Sequence, residues 1–198
     1  MNTFNPSKSV SDTIIPNPSQ YALTELGSFQ WIELWYFSPK ACLKAAQQAY
    51  STLDDIFGIT KTEDALGFYQ ISTARASKNI IQDKDLTWHT FSLAKTNYVR
   101  HITKANWPHL HVQLIMDLFF ELENHPWHIC LSSECVLLLY LDCVHKEWHP
   151  RLALGDGFNI TIINSQLLDE VNDEVWSTSQ SDSLMRSVSL LLHLLITR

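Results

Sequence analysis

Glycine is scarce, with five residues among 198, and the chain contains neither a GxGxxG run nor a GxxxxGK followed by Ser or Thr. Phosphate-cradling loops need glycine so that backbone can approach the ligand closely, so the dinucleotide-fold and P-loop classes lose their main support. Long apolar runs are missing too. The longest, Leu190 to Ile196, is interrupted by His193 and falls far short of the roughly 18–20 residues that cross a bilayer. The start, MNTFNPSKSVSDTIIPNPSQ, has neither the charged lead nor the apolar stretch of a secretory signal. The expectation is therefore an intracellular chain, cytoplasmic or nuclear, with no membrane partner. Its Cys42, Cys130, Cys135 and Cys143 then read as reduced core thiols rather than disulfides. No GxSxG and no Cys–His pair in a catalytic context is present, which removes the common nucleophile signatures.

What is present is apolar and aromatic. Hydrophobic residues make up 45% of the chain and charged ones 18%, with seven Trp, six Tyr and nine Phe, enough to fill the core of one domain. Residues 1–27, with Pro6, Pro16 and Pro18 among Ser, Asn and Thr, read as a flexible N-terminal arm. Order is expected to begin near Phe29, where FQWIELWYF sets five aromatics in nine residues. Trp31, Trp35 and Tyr36 of this stretch are candidates for packing on the core or on a partner.

Helical periodicity dominates the rest. Ser38-Pro39 gives an N-cap followed by proline at the first helical position, and apolar spacing predicts a helix over 39–57 stopped by Gly58. Thr60 and Glu63 have capping-box spacing, suggesting a short helix there. Trp88, Phe91, Ala94, Tyr98, Ile102 and Ala105 mark a further helix. Leu110 to Leu122 forms another with a broad apolar face. One more is expected from Ser133 to about His149, closed by Pro150, and another begins at a Ser165 cap. The sum is an all-α fold, a compact bundle of five or six helices over 28–178. Residues 179–198 form a tail that reads either as an extra helix or as a truncated end.

Charge is segregated. Residues 72–112 carry six basic and two acidic side chains, whereas 113–150 carry one and six. On the helix from Trp88, Arg100 and Lys104 lie within about 40° of each other at 100° per residue, opposite the apolar side and beside Asn97. With Arg75 and Lys78 they form a candidate phosphate-contacting surface for RNA or DNA. The competing expectation is a solvated face that pairs with Asp117, Glu121 and Glu123; the net charge of −7 favours it.

Histidine and cysteine gather between His125 and His149. A CCHH zinc reading of Cys130, Cys135, His145 and His149 fails on geometry. Cys135 and His145 would share one helix, about 15 Å apart at 1.5 Å per residue. Asp142, His145 and His149 lie within about 60° on one helix face, and two imidazoles with a carboxylate can hold a transition metal for a metal-dependent enzyme. Histidines near a helix C-terminus are also favoured by the dipole alone, which is the stronger expectation, and no cofactor is expected. His111, on a mostly apolar face, reads as a hydrogen-bonded core histidine.

The phrases IELWYFSPKAC (32–42), DDIFGITK (54–61), RASKNIIQDKDLTWHTF (75–91), AKTNYVRHITKANWPHLH (94–111), FFELENHPWH (119–128) and KEWH (146–149) resemble a family of fungal mobile-element proteins of retrotransposon gag-like type. The likeness covers about residues 30–176 and carries no catalytic motif. It implies a helical, self-associating or nucleic-acid-associated protein and not an enzyme. The leading expectation is thus a non-enzymatic interaction or assembly module, with sequence-independent nucleic-acid binding and a metal-dependent enzyme as alternatives.

Overall fold

The computed structural model describes residues 16–51, 57–62, 65–70, 77–129 and 133–196. Among the described residues six α-helices carry the architecture, in line with the all-α expectation: α1 (Gln20–Gly27), α2 (Pro39–Ser51), α3 (Trp88–Lys104), α4 (His109–Glu123), α5 (Ser133–Ala153) and α6 (Ser165–Ile196). No helix among the described residues is long and apolar enough to cross a membrane. One hairpin interrupts the series: β1 (Phe57–Thr62) pairs antiparallel with β2 (Ala65–Gln70), Phe57 opposite Gln70 and Thr62 opposite Ala65. The helix expected over 39–57 therefore ends at Ser51, and Thr60 lies in a strand instead of opening a helix. Residues 57–62 include Phe57, Ile59, Thr60 and Thr62, and β-branched and aromatic side chains fit a pleated ribbon better than a helix.

The start of α2 follows its sequence signature. Ser38 Oγ accepts the Ala41 N–H at 3.2 Å, with Pro39 in the first helical position. Three other boundaries differ from expectation. First, the arm assigned to 1–27 already contains α1, whose Ala22 and Leu26 are fully buried; residues 1–15 lie outside the described residues. Two apolar side chains at i and i+4 are too few to show as a periodicity, yet they suffice to dock one short helix. Second, Pro150 sits inside α5 rather than closing it. Its missing N–H costs one bond near the helix end, and the chain continues with Leu154 N–H to Pro150 O at 3.1 Å. Third, α6 starts on Asn164, whose Oδ1 accepts the Leu167 N–H at 3.1 Å, not on a Ser165 cap. It then runs unbroken through the boundary expected at 178.

The core is built by α3, α4 and α5 with a 3-10 turn at Leu34–Phe37 tucked beneath them. Phe91, Ala94, Tyr98 and Ile102 of α3 meet Ile115, Leu118, Phe119 and Leu122 of α4, and Leu137, Tyr140, Leu141 and Trp148 of α5. Phe91 and Phe119 cross edge to face at 5.6 Å. The first turns of α6 join this core through Leu168 and Val171, with Leu167 and Val175 packed beside them.

Candidate functional site

Aromatic residues of the Phe29–Phe37 stretch go mostly inward. Trp35 and Tyr36 are 6% and 2% exposed, so of the two expected alternatives they take the core and not the partner. Tyr36 instead accepts the Ser77 N–H on its hydroxyl at 2.9 Å. Trp31 is half-buried, with Lys146 Nζ over its ring at 5.0 Å. Of the expected core thiols only Cys42 is buried, and burial pushes its pKa up to about 11; Cys135 and Cys143 are exposed and Cys130 lies outside the described residues.

The basic surface is partly as expected. Arg100 and Lys104 are exposed on α3, and Lys78 is exposed ahead of it, none of them in an ion pair among the described residues. Arg75 lies outside those residues. Asn97 does not join them. It is buried, donating through Nδ2 to the Phe37 carbonyl at 3.1 Å. Glu123 of the acidic helix pairs with Lys95 across α3 and α4, not with Arg100 or Lys104.

Asp142, His145 and His149 share one face of α5 but serve three different partners. Asp142 Oδ2 takes the Lys146 ammonium at 2.7 Å. His145, fully buried, has Nε2 3.3 Å from the Tyr98 hydroxyl and Nδ1 3.8 Å from Asp83 Oδ2. His149 sets Nδ1 3.2 Å from the Phe29 carbonyl. Among the described residues no group of three or more His, Cys, Asp or Glu side chains is placed to hold a metal ion, so the metal reading is withdrawn.

In its place stands a buried polar column, Asp83–His145–Tyr98, which the sequence did not reveal. Asp83 lies in a 3-10 turn (Asp83–Asp85) amid charged neighbours and reads as a solvated bend, yet it is fully buried. Its Oδ1 accepts the Leu34 N–H at 2.7 Å, tying the 3-10 turn at 34–37 to the segment before α3. Desolvation raises the Asp83 pKa and lowers that of His145. Both pushes favour the neutral forms, an acid facing an imidazole, over an ion pair stripped of water. At 3.8 Å the two do not hydrogen-bond, and among the described residues Asp83 Oδ2 and His145 Nδ1 both lack a hydrogen-bond partner. The column braces the fold.

Two surface cavities are lined by described residues. One, about 670 Å³, lies between α5 and the segment before α6, lined by Val144, Ile160 and Leu167 among others, with Tyr140, Cys143 and Glu147 as its titratable groups. The other, about 550 Å³, is lined by Phe29, Trp31, Trp107, His111 and His149. His111 is only half-buried, and its Nδ1 has no protein partner, so it is not the satisfied core histidine expected. Comparison with protein-family models, curated proteins and solved structures finds no match.

Proposed function

We propose that the chain is a non-enzymatic, intracellular interaction and assembly module that associates with itself through the outer part of α6. One observation carries the reading. Beyond Val175 the helix runs on to Ile196, about 30 Å at 1.5 Å per residue. Trp176, Leu184 and Met185 on this stretch are 61%, 67% and 73% exposed. Large apolar side chains left in water along one helix mark a surface for association. The likeness to gag-like proteins of fungal mobile elements supports the same role. Light scattering across a concentration series tests it. The expected result is a mass that grows above the monomer with concentration and collapses to the monomer in Leu184→Glu/Met185→Glu. A strict monomer at every concentration contradicts it.

A second reading, sequence-independent RNA or DNA binding, draws on the unpaired, exposed Arg100 and Lys104. Affinity should then fall steeply with salt and vanish in Arg100→Glu/Lys104→Glu. Undiminished binding in that double variant removes this surface from consideration.

A further inference from the structure

Two islands of charge on the surface go unanswered within the chain. One is acidic. The first turns of α6 carry Asp169, Glu170, Asp173 and Glu174, all exposed, and no basic residue follows until Arg186. The other is basic, with Arg100 and Lys104 exposed on α3. None of these acidic and basic side chains enters an ion pair among the described residues.

Each island shares its helix face with apolar surface. At 100° per residue Asp169, Asp173, Trp176, Gln180 and Leu184 fall within about 80° on α6, away from the side that Leu168, Val171 and Val175 set against the core. On α3, Leu93, Arg100 and Lys104 fall within about 40°, and Leu93 is 45% exposed. The two stripes run in the same order when the helices are read in opposite directions. From the C-terminal end of α3 come Lys104, Arg100 and then Leu93; from the N-terminal end of α6 come Asp169, Asp173 and then Trp176. Both charged pairs are spaced four residues apart, about 6 Å at 1.5 Å per residue.

We propose that α6 of one copy lies antiparallel along α3 of the next, with Asp169 against Lys104 and Asp173 against Arg100. The inference rests on the assembly reading and names the surface on which α6 docks. In this register Trp176 comes level with position 97, one turn from Arg100 and one from Leu93, so its ring covers the exposed leucine and lies beside a guanidinium. Leu184 reaches the level of His89, at the start of α3. The antiparallel sense also sets the positive N-terminal end of the α6 dipole beside the negative C-terminal end of α3. Two α6 helices side by side in parallel would instead bring their acidic turns together. Lys40 and Lys44 of α2 have the same spacing, but Lys44 is half-buried, and an antiparallel match there carries Trp176 past the start of α2 at Pro39. Because the contact joins two different surfaces, a dimer keeps one free surface of each kind and can add further copies.

Light scattering on the nuclease-treated full chain, wild type beside charge-reversed variants at exposed positions, tests the proposal. Arg100→Glu/Lys104→Glu and Asp169→Lys/Asp173→Lys should each associate at least ~10-fold more weakly, because attractive pairs become repulsive ones. Mixed in equal amounts, the two variants should assemble again, since each reversed face fits the unreversed face of the other. Lys40→Glu/Lys44→Glu makes the same change of charge on α2 and should assemble as the wild type does. Association of the Arg100 and Lys104 variant at wild-type strength, while Leu184→Glu/Met185→Glu is monomeric, leaves α6 as the associating element and overturns the docking on α3. A mixture no larger than its components, or an equal loss in the α2 variant, overturns it as well. So does assembly seen only before nuclease treatment, which assigns the basic pair to nucleic acid. A wild-type chain that is monomeric throughout removes the assembly reading itself, and this inference with it.

Discussion

The body made by α3, α4 and α5 and the outer part of α6 are both helical and both rich in apolar side chains, yet they answer to different conditions. In the body, Tyr98, Tyr140 and Trp148 are essentially sealed from water, and polar atoms such as Asn97 Nδ2 and Trp107 Nε1 donate to backbone carbonyls. Its stability is internal. In outer α6, Trp176, Leu184 and Met185 face solvent and gain nothing from the fold they belong to. Apolar area stabilises only when removed from water, so identical side-chain chemistry is structural in one place and available for association in the other.

The sharpest way to break this contrast is to truncate one tryptophan in each region. Trp148 is fully buried and donates through Nε1 to Phe158 O at 3.0 Å, so Trp148→Ala should cost about 3–5 kcal/mol in denaturant unfolding. Trp176→Ala should leave the unfolding of the monomer within about 0.5 kcal/mol. Comparable losses at the two sites would erase the distinction.

Acid should act on the body alone. In the folded chain burial lowers the pKa of His145 and carries that of His149 down to about 3, whereas an unfolded histidine takes up its proton near 6.5. The neutral imidazoles therefore support folding fully above pH 6.5, and that support drains away as pH falls from 6.5 toward 3, by ~1 kcal/mol or more per imidazole. In Asp83→Asn, which removes the opposing carboxyl, a thermal midpoint that holds steady from pH 7 to 4 would contradict the buried imidazoles. Asp83 pulls the other way. Its folded pKa is raised, so its contribution is complete below about pH 4, the unfolded carboxyl value, and declines as pH rises. Asp83→Asn keeps an oxygen for the Leu34 N–H and adds a donor toward His145. It should flatten the decline on the alkaline side, whereas Asp83→Ala should lose about 1–3 kcal/mol by orphaning that N–H. The smallest effect is expected at Lys95→Met. The Lys95–Glu123 pair is 19% and 32% exposed and should be worth about 0–1 kcal/mol, measurable by the same unfolding curves.

Sequence periodicity locates elements that pack along their whole length. The stripe of Phe91, Ala94, Tyr98 and Ile102 names the buried side of α3 correctly, and Ser38-Pro39 marks the start of α2 because the cap is local chemistry. It fails where a tertiary partner decides. α1 is held by two side chains, Asn97 faces inward because the Phe37 carbonyl needs a donor, and Asp83 is buried because Leu34 N–H needs an acceptor. The aromatic density of 29–37 is plain in the sequence, but whether Trp35 and Tyr36 face a core or a partner depends on the turn at Leu34–Phe37. The cavity lined by Phe29 and His149 is the least legible feature. Its walls come from four places in the chain, joined by the left-handed residues Phe29, Asn106 and Gly155, of which only the last two have the expected chemistry.

Amide hydrogen exchange at rising protein concentration tests the central claim most directly. Protection in α3, α4 and α5 should be high and independent of concentration, while the α6 amides beyond Val175 should exchange fast in dilute solution and slow down as concentration rises. Outer α6 amides that are equally protected at every dilution, or that never become protected, would contradict the division between a self-sufficient body and a helix completed by a second copy.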